Sequence, residues 1–175
     1  MTECITLPIP RELEHPFFFS DNKTIIVEPT SFTSINLCIP FLYEAAFYSK
    51  VDTFRPWDNH EEFIPLLLKE WNAVKPLLED FFSRRDIKQV EKPMKFGISL
   101  LIEFVYWTNE EPVKFSQKEI QLGNLKVKPV NLEERLAFIL SRSTLHHSFI
   151  QLGELMVEME KQYVKQMALK KASKQ

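Results

Sequence analysis

Residues 96–108 read Phe-Gly-Ile-Ser-Leu-Leu-Ile-Glu-Phe-Val-Tyr-Trp-Thr, the longest apolar run in the chain. As an α-helix rising 1.5 Å per residue, this stretch spans about 20 Å, short of the ~30 Å hydrocarbon core of a bilayer. A strand of that length is unusual, so the run reads as a buried helix. On a helical wheel Lys95, Ser99, Glu103, Tyr106 and Glu110 share one narrow stripe, and nearly everything else is apolar. Such a helix needs neighbours around most of its circumference.

The rest of the sequence is patterned to supply them. In a chain of 175 residues, 45% are hydrophobic and fifteen are Phe, enough for an ordered core. A formal net charge of -2 gives no global attraction for nucleic acid or anionic lipid. The two cysteines, Cys4 and Cys38, lie too far apart in sequence for a zinc knuckle and are too few for a disulfide framework. With no basic n-region and apolar h-region at the start, they indicate a cytosolic protein with no membrane span. Only three glycines occur, which disfavours phosphate-cradling loops.

Residues 1–33 carry Pro8, Pro10, Pro16 and Pro29 and read as an irregular N-terminal arm packed on the body. Phe17–Phe19 are its apolar anchor, Asp21-Asn22 a turn, and Thr24–Val27 a short strand whose only candidate partner lies in 113–128. Residues 34–167 read as one helical domain, and 168–175 as a frayed basic tail. Pro40 opens a first helix running to about Ser49, with Phe41, Ala45 and Tyr48 on one side. A second starts near Glu62, with Pro65 in its first turn. Its seam is Ile64, Leu67, Trp71, Val74, Leu78 and Phe81, and Pro76 is expected to kink or break it. The central helix follows Pro93. Residues 113–128 are either a hairpin with its tip at Leu122-Gly123-Asn124-Leu125 or a plain loop. Asn131 and Glu134 resemble a capping box for a short helix. A last helix runs from about Leu145 to Met167, with a seam of Leu145, Phe149, Leu152, Met156, Met159 and Tyr163. A second stripe of Ile150, Val157 and Val164 suggests two neighbours. The fold is therefore mostly α: a compact bundle of five or six helices around the central one, with room for one small β-ribbon.

Catalytic motifs are absent. There is no Gly-x-Ser-x-Gly, no Gly-x-Gly-x-x-Gly and no P-loop pattern, so neither cofactor nor metal is expected. His147, Gln151, Glu154 and Glu158 share a helical stripe, but it lies opposite the apolar seam, whereas bundle metal sites need inward-pointing ligands repeated on other helices. The Ser99, Glu103 and Tyr106 stripe has two readings: a face toward water or a basic partner, or a buried acid in a polar pocket. Trp71 sits on a seam and reads as core. Trp57 and Trp107 adjoin chain breaks and are candidates to line a surface groove. Lys161, Lys165, Lys170, Lys171 and Lys174 make the final fifteen residues purely basic, either a solvated helix end or an electrostatic contact.

Several short motifs, Pro56-Trp57, Trp107-Thr108-Asn109, the run Lys128-Pro129-Val130-Asn131-Leu132-Glu133-Glu134-Arg135-Leu136, and His147-Ser148-Phe149 with Gln151-Leu152 and Glu154-Leu155, resemble the YpoC-like family of small bacterial proteins. The resemblance covers roughly residues 40–165. It implies a bacterial cytosolic protein and brings no catalytic residues. The leading expectation is a non-catalytic module that binds another protein. The alternatives are a nucleic-acid-associated accessory protein using the basic end, and an enzyme with a site near Glu103 or His146/His147.

Overall fold

Every residue from Gly97 to Thr108 is buried, and the architecture is built around that stretch. The computed structural model describes residues 3–21 and 23–175, so the Asn22 half of the expected Asp21-Asn22 turn lies outside the described residues. In chain order the elements are β1 (Ile5–Pro8), β2 (Thr24–Val27), α1 (Leu42–Tyr48), α2 (His60–Ser83), α3 (Ile87–Thr108), β3 (Phe115–Ser116), β4 (Glu119–Ile120), α4 (Leu132–Ser141) and α5 (His146–Ser173). The central helix α3 packs against α2 and α5, and α5 also packs against α4. Phe63, Ile64, Leu67, Trp71, Val74 and Leu78 of α2 and Phe149, Leu152, Leu155, Met156 and Met159 of α5 form the surrounding wall. At Gly97 the three helices close up. A Cβ there would lie 3.0 Å from the Trp71 ring and 3.1 Å from Leu152 Cδ2, so only glycine leaves room for both.

Three prolines lie inside helices, and none interrupts one. Residue Pro76 neither breaks α2 nor limits it, and α3 starts at Ile87, before Pro93. Because α2 starts at His60, Pro65 falls past its first turn. Each proline deprives the carbonyl four residues back of its partner, normally at a cost of about 3 kcal/mol. Those carbonyls belong to Glu61, Asn72 and Gln89, all exposed residues, where solvent is at hand to replace the missing donor. The buried faces of the same turns remain apolar and hold the helices together.

The arm is more ordered than its prolines suggest. Strand β2 pairs antiparallel with β1, in register Ile5↔Val27 through Pro8↔Thr24, rather than with anything in 113–128. Proline forbids a helix here but not the end of a two-stranded ribbon, where Pro8 takes the last position. Leu7, Leu13, Phe18, Ile25 and Val27 join the same hydrophobic core as the helices. Of the expected Phe17–Phe19 anchor, Phe18 goes deepest. Its ring meets Phe41 edge-on at 5.0 Å and stacks on Phe115 at 6.0 Å, tying the arm to α1 and to the β3–β4 hairpin.

That hairpin turns at Gln117-Lys118, with φ of 53° and 63°, and not at Leu122–Leu125. The latter is a separate turn closed by the Leu125 N–H on the Leu122 carbonyl at 3.1 Å, with both leucines buried. Two consecutive left-handed residues in a two-residue loop ordinarily call for Asn-Gly. Left-handed backbone costs a side-chain-bearing residue about 1–2 kcal/mol. Replacing Gln117-Lys118 by Asn-Gly is therefore expected to stabilise the fold by about 1–2 kcal/mol, read as a higher urea midpoint with unchanged slope.

Two helix ends also differ from expectation. Asn131 is left-handed, with φ 54°, and its side chain makes no capping bond, so no capping box forms at α4. Helix α5 runs to Ser173, six residues past Met167.

Candidate functional site

The spacing that turns Phe41, Ala45 and Tyr48 toward the core also turns Glu44 inward, three residues after Phe41 and four before Tyr48. On α3, Glu103 and Trp107 lie one turn apart and face α1. The outcome is an acid pair in the centre of the protein, with Glu44 and Glu103 both essentially inaccessible to solvent. The Glu103 carboxylate accepts the Phe41 N–H at 2.8 Å. Phe41 is left-handed and has no side-chain cap, so this carboxylate serves the start of α1 where a capping residue normally would. Glu44 Oε1 accepts the Trp107 indole N–H at 2.6 Å, and the Val113 N–H lies 3.5 Å from the same oxygen. The other oxygen, Glu44 Oε2, is buried without a partner.

Electrostatics follow from that environment. Burial pushes the Glu44 carboxyl up to about 7, against the opposing pull of the Trp107 and backbone N–H groups. Burial, then the neighbouring Glu44 charge, holds Glu103 well above the usual carboxylate range, opposed by the Phe41 N–H. Ionising two acids this deep together is disfavoured, because among the described residues neither has a cation to offset it. Their hydrogen bonds to the Phe41 N–H and the Trp107 indole clamp α1 to α3. Neither reaches solvent, so a dissolved substrate meets neither without the fold opening.

The rest of the polar stripe on α3 is divided among separate partners. Ser99 bonds back to the Phe96 carbonyl at 2.6 Å. The Tyr106 hydroxyl donates toward the carbonyl oxygens of Lys114, at 2.8 Å, and Gln121, securing the hairpin segment. All three stripe residues are buried, and each bonds to a different partner. The surface groove expected at Trp57 and Trp107 does not form. Trp107 is completely buried by its bond to Glu44 and its packing on Phe63. Trp57 is also buried and packs edge-on against Phe47 at 5.2 Å. A chain break beside a tryptophan marks a corner of the core here, not its rim.

The histidines diverge. His146 lies against Phe82 and His147 against Phe138. Gln151, Glu154 and Glu158 surround Arg135 of α4, whose guanidinium reaches Glu158 at 2.8 Å and lies 3.6 Å from Glu154. The polar stripe on α5 is thus the seam between α5 and α4.

The outer face of α5 differs from both. Ile150, Val157 and Val164, expected to touch a neighbour, are 43%, 50% and 60% exposed. They form an uncovered apolar ridge along the helix. Around it lie Gly153, Glu154, Glu160, Lys161, Lys165 and Ala168. Of the basic residues expected to make an electrostatic contact, Lys161 and Lys165 flank the ridge and Lys170 pairs with Glu110. Lys171 and Lys174 stand near the helix end. Among the described residues no helix is long and apolar enough to cross a membrane.

Comparison with known proteins places this arrangement in a family. No solved structure matches the chain. The chain is 36% identical over 115 residues to a protein of Bacillus subtilis (strain 168) named "Uncharacterized protein YpoC", an overlap of 65% of this chain and 70% of the relative. A family model described as YpoC-like protein matches residues 61–171. That span starts later than the resemblance at 40–165 and leaves out Pro56-Trp57 and Glu44, but it holds Glu103, Trp107 and the whole outer ridge of α5. The chain belongs to the YpoC-like family.

Proposed function

We propose that this protein is a non-catalytic protein-interaction module whose contact surface is the outer face of α5. The observation that carries this reading is the ridge of Ile150, Val157 and Val164, seven residues apart and open to solvent on a 28-residue helix. A row of β-branched residues on one helix face is the pattern by which one helix docks on another. The titratable pair that would otherwise suggest catalysis, Glu44 and Glu103, is sealed within the core. Cys4 and Cys38 are free and exposed, which supports placing the module in a reducing compartment such as the cytosol.

The test is co-purification from cells at native expression, with nuclease present. The parent is compared with a variant carrying Ile150→Ser, Val157→Ser and Val164→Ser, in cells that also hold a differently tagged copy. Because the three side chains are exposed, the variant is expected to melt within about 2 °C of the parent. It is expected to lose a protein, of either kind, that the parent retains. Equal retention by both would refute the reading. A partner lost only on nuclease treatment would shift the contact to the basic end of α5 and to nucleic acid.

A further inference from the structure

The outer ridge of α5 has a charge pattern that selects its occupant. Ile150, Val157 and Val164 drift only about 20° per seven residues, so they form one nearly straight line. On one edge of that line, Glu154 stands three residues before Val157 and Lys161 four after it, both exposed. Beyond Lys161 the same edge continues with Lys165. That edge is therefore acidic before Val157 and basic after it, while Glu160 stands on the opposite edge. Glu154 also lies 3.6 Å from Arg135, but its side chain remains 55% exposed and open to a second cation. Gly153 leaves a notch between Ile150 and Val157, since nothing lies within 4 Å of where its Cβ would be. Beside the notch is a hollow of about 490 Å³ bordered by Lys75 and Glu79 of α2, and a second, of about 500 Å³, flanks Val157 and Val164.

A surface with this gradient is complementary to itself when reversed. We infer that the ridge pairs with the ridge of a second copy of this chain, antiparallel, about a two-fold axis beside Val157. The inference rests on the interaction-module reading. In that arrangement Val157 of each copy meets Val157 of the other, and Ile150 meets Val164. Glu154 of each copy faces Lys161 of the other, because equivalent edges face one another across an antiparallel pair. The contact is isologous, so each attraction occurs twice. In a parallel pair opposite edges face one another, so Glu154 lies across from Gly153 and loses its lysine. A net charge of only -2 per chain adds little repulsion between copies.

The test uses the full chain in two measurements. Sedimentation across a concentration series is expected to show a dimer in the parent and a monomer in Val157→Asp. Glu154→Lys alone and Lys161→Glu alone are each expected to weaken the dimer about tenfold or more by creating two like-charge contacts. The double variant Glu154→Lys/Lys161→Glu restores opposite charges and is expected to recover the parent's dimerisation. A photo-crosslinking residue at Val164, activated in living cells, is expected to give an adduct of twice the chain mass. A monomeric parent, a dimer indifferent to Val157→Asp, or a double variant no tighter than the single ones would overturn the pairing. If the adduct instead contains a different protein, the second copy is excluded and the interaction-module reading survives. No adduct of any kind sinks both.

Discussion

Replacing Glu44 by Gln is expected to make the protein more stable at pH 8 and less stable at pH 4.5, with the two proteins crossing in between. Burial raises the Glu44 carboxyl from its ordinary 4.5 to about 7. Below pH 4.5 the folded and unfolded chains both hold the proton, and the shift contributes nothing. Between 4.5 and 7 the unfolded chain ionises while the native one stays protonated, so each pH unit removes about 1.4 kcal/mol from the native state. Above 7 the penalty is constant, about 3 kcal/mol. Glutamine cannot ionise, so it removes that penalty, and its carbonyl oxygen can still accept the Trp107 N–H. Its amide, however, brings buried N–H groups to the place where Glu44 Oε2 already lacks a partner, at a cost of about 1 kcal/mol. Urea unfolding of both proteins at pH 4.5, 6 and 8 reads the difference. The variant is expected to move from about 1 kcal/mol below the parent to about 2 kcal/mol above it. A difference constant across pH would mean that Glu44 titrates as an ordinary surface carboxylate, and the buried acid pair would have to be abandoned.

Glu103 was legible as a candidate buried acid, but why its partner Glu44 escaped shows where helical periodicity stops being informative. Residues 96–108 announced a central helix because a circumference apolar on all but one narrow stripe has one physical outcome. The seams of α2 and α5 were equally legible, since Leu, Trp and Met at three- and four-residue spacing turn inward. The exception is Leu145, expected to open the α5 seam, which is the exposed residue just before the helix. Glu44 obeys the same spacing as Phe41, Ala45 and Tyr48, but a charged residue on a buried stripe reads as an irregularity. Its partner, the Trp107 indole, lies 63 positions away, and only the fold brings them together. The prolines misled for a related reason. Sequence registers the lost N–H of Pro76 and Pro93, whereas solvent access to the carbonyls of Asn72 and Gln89 decides whether the loss matters. The β1–β2 ribbon was hidden by Pro8, and the hairpin tip by a Gln-Lys pair where Asn-Gly is usual. The ridge on α5 was seen as a pattern, but a pattern does not reveal whether its neighbour belongs to the same chain.

The larger destabilisation is expected from Trp107→Phe, which tests whether the indole N–H is what makes the acid pair tolerable. Phenylalanine keeps a ring beside Phe63 but leaves part of a fully buried volume empty, a cost of about 1–2 kcal/mol. It also removes the donor 2.6 Å from Glu44 Oε1, leaving the Val113 N–H at 3.5 Å as that oxygen's remaining contact. A lost hydrogen bond to a buried charged group adds about 1.5–3 kcal/mol, for a total of about 3–4 kcal/mol at pH 7. The indole N–H lowers the Glu44 carboxyl, so its loss moves that carboxyl further up. The native state then keeps its proton to higher pH, and the penalty continues to grow above 7, where the parent has levelled off. The variant's deficit is therefore expected to be larger at pH 8 than at pH 5, opposite in trend to Glu44→Gln. Glutamine at 44 has no charge for the indole to stabilise, so in that background Trp107→Phe keeps mainly its packing cost. A double-mutant cycle at pH 8 is expected to show a coupling of about 2 kcal/mol, and strict additivity would dissolve the clamp between α1 and α3 into two unrelated core positions.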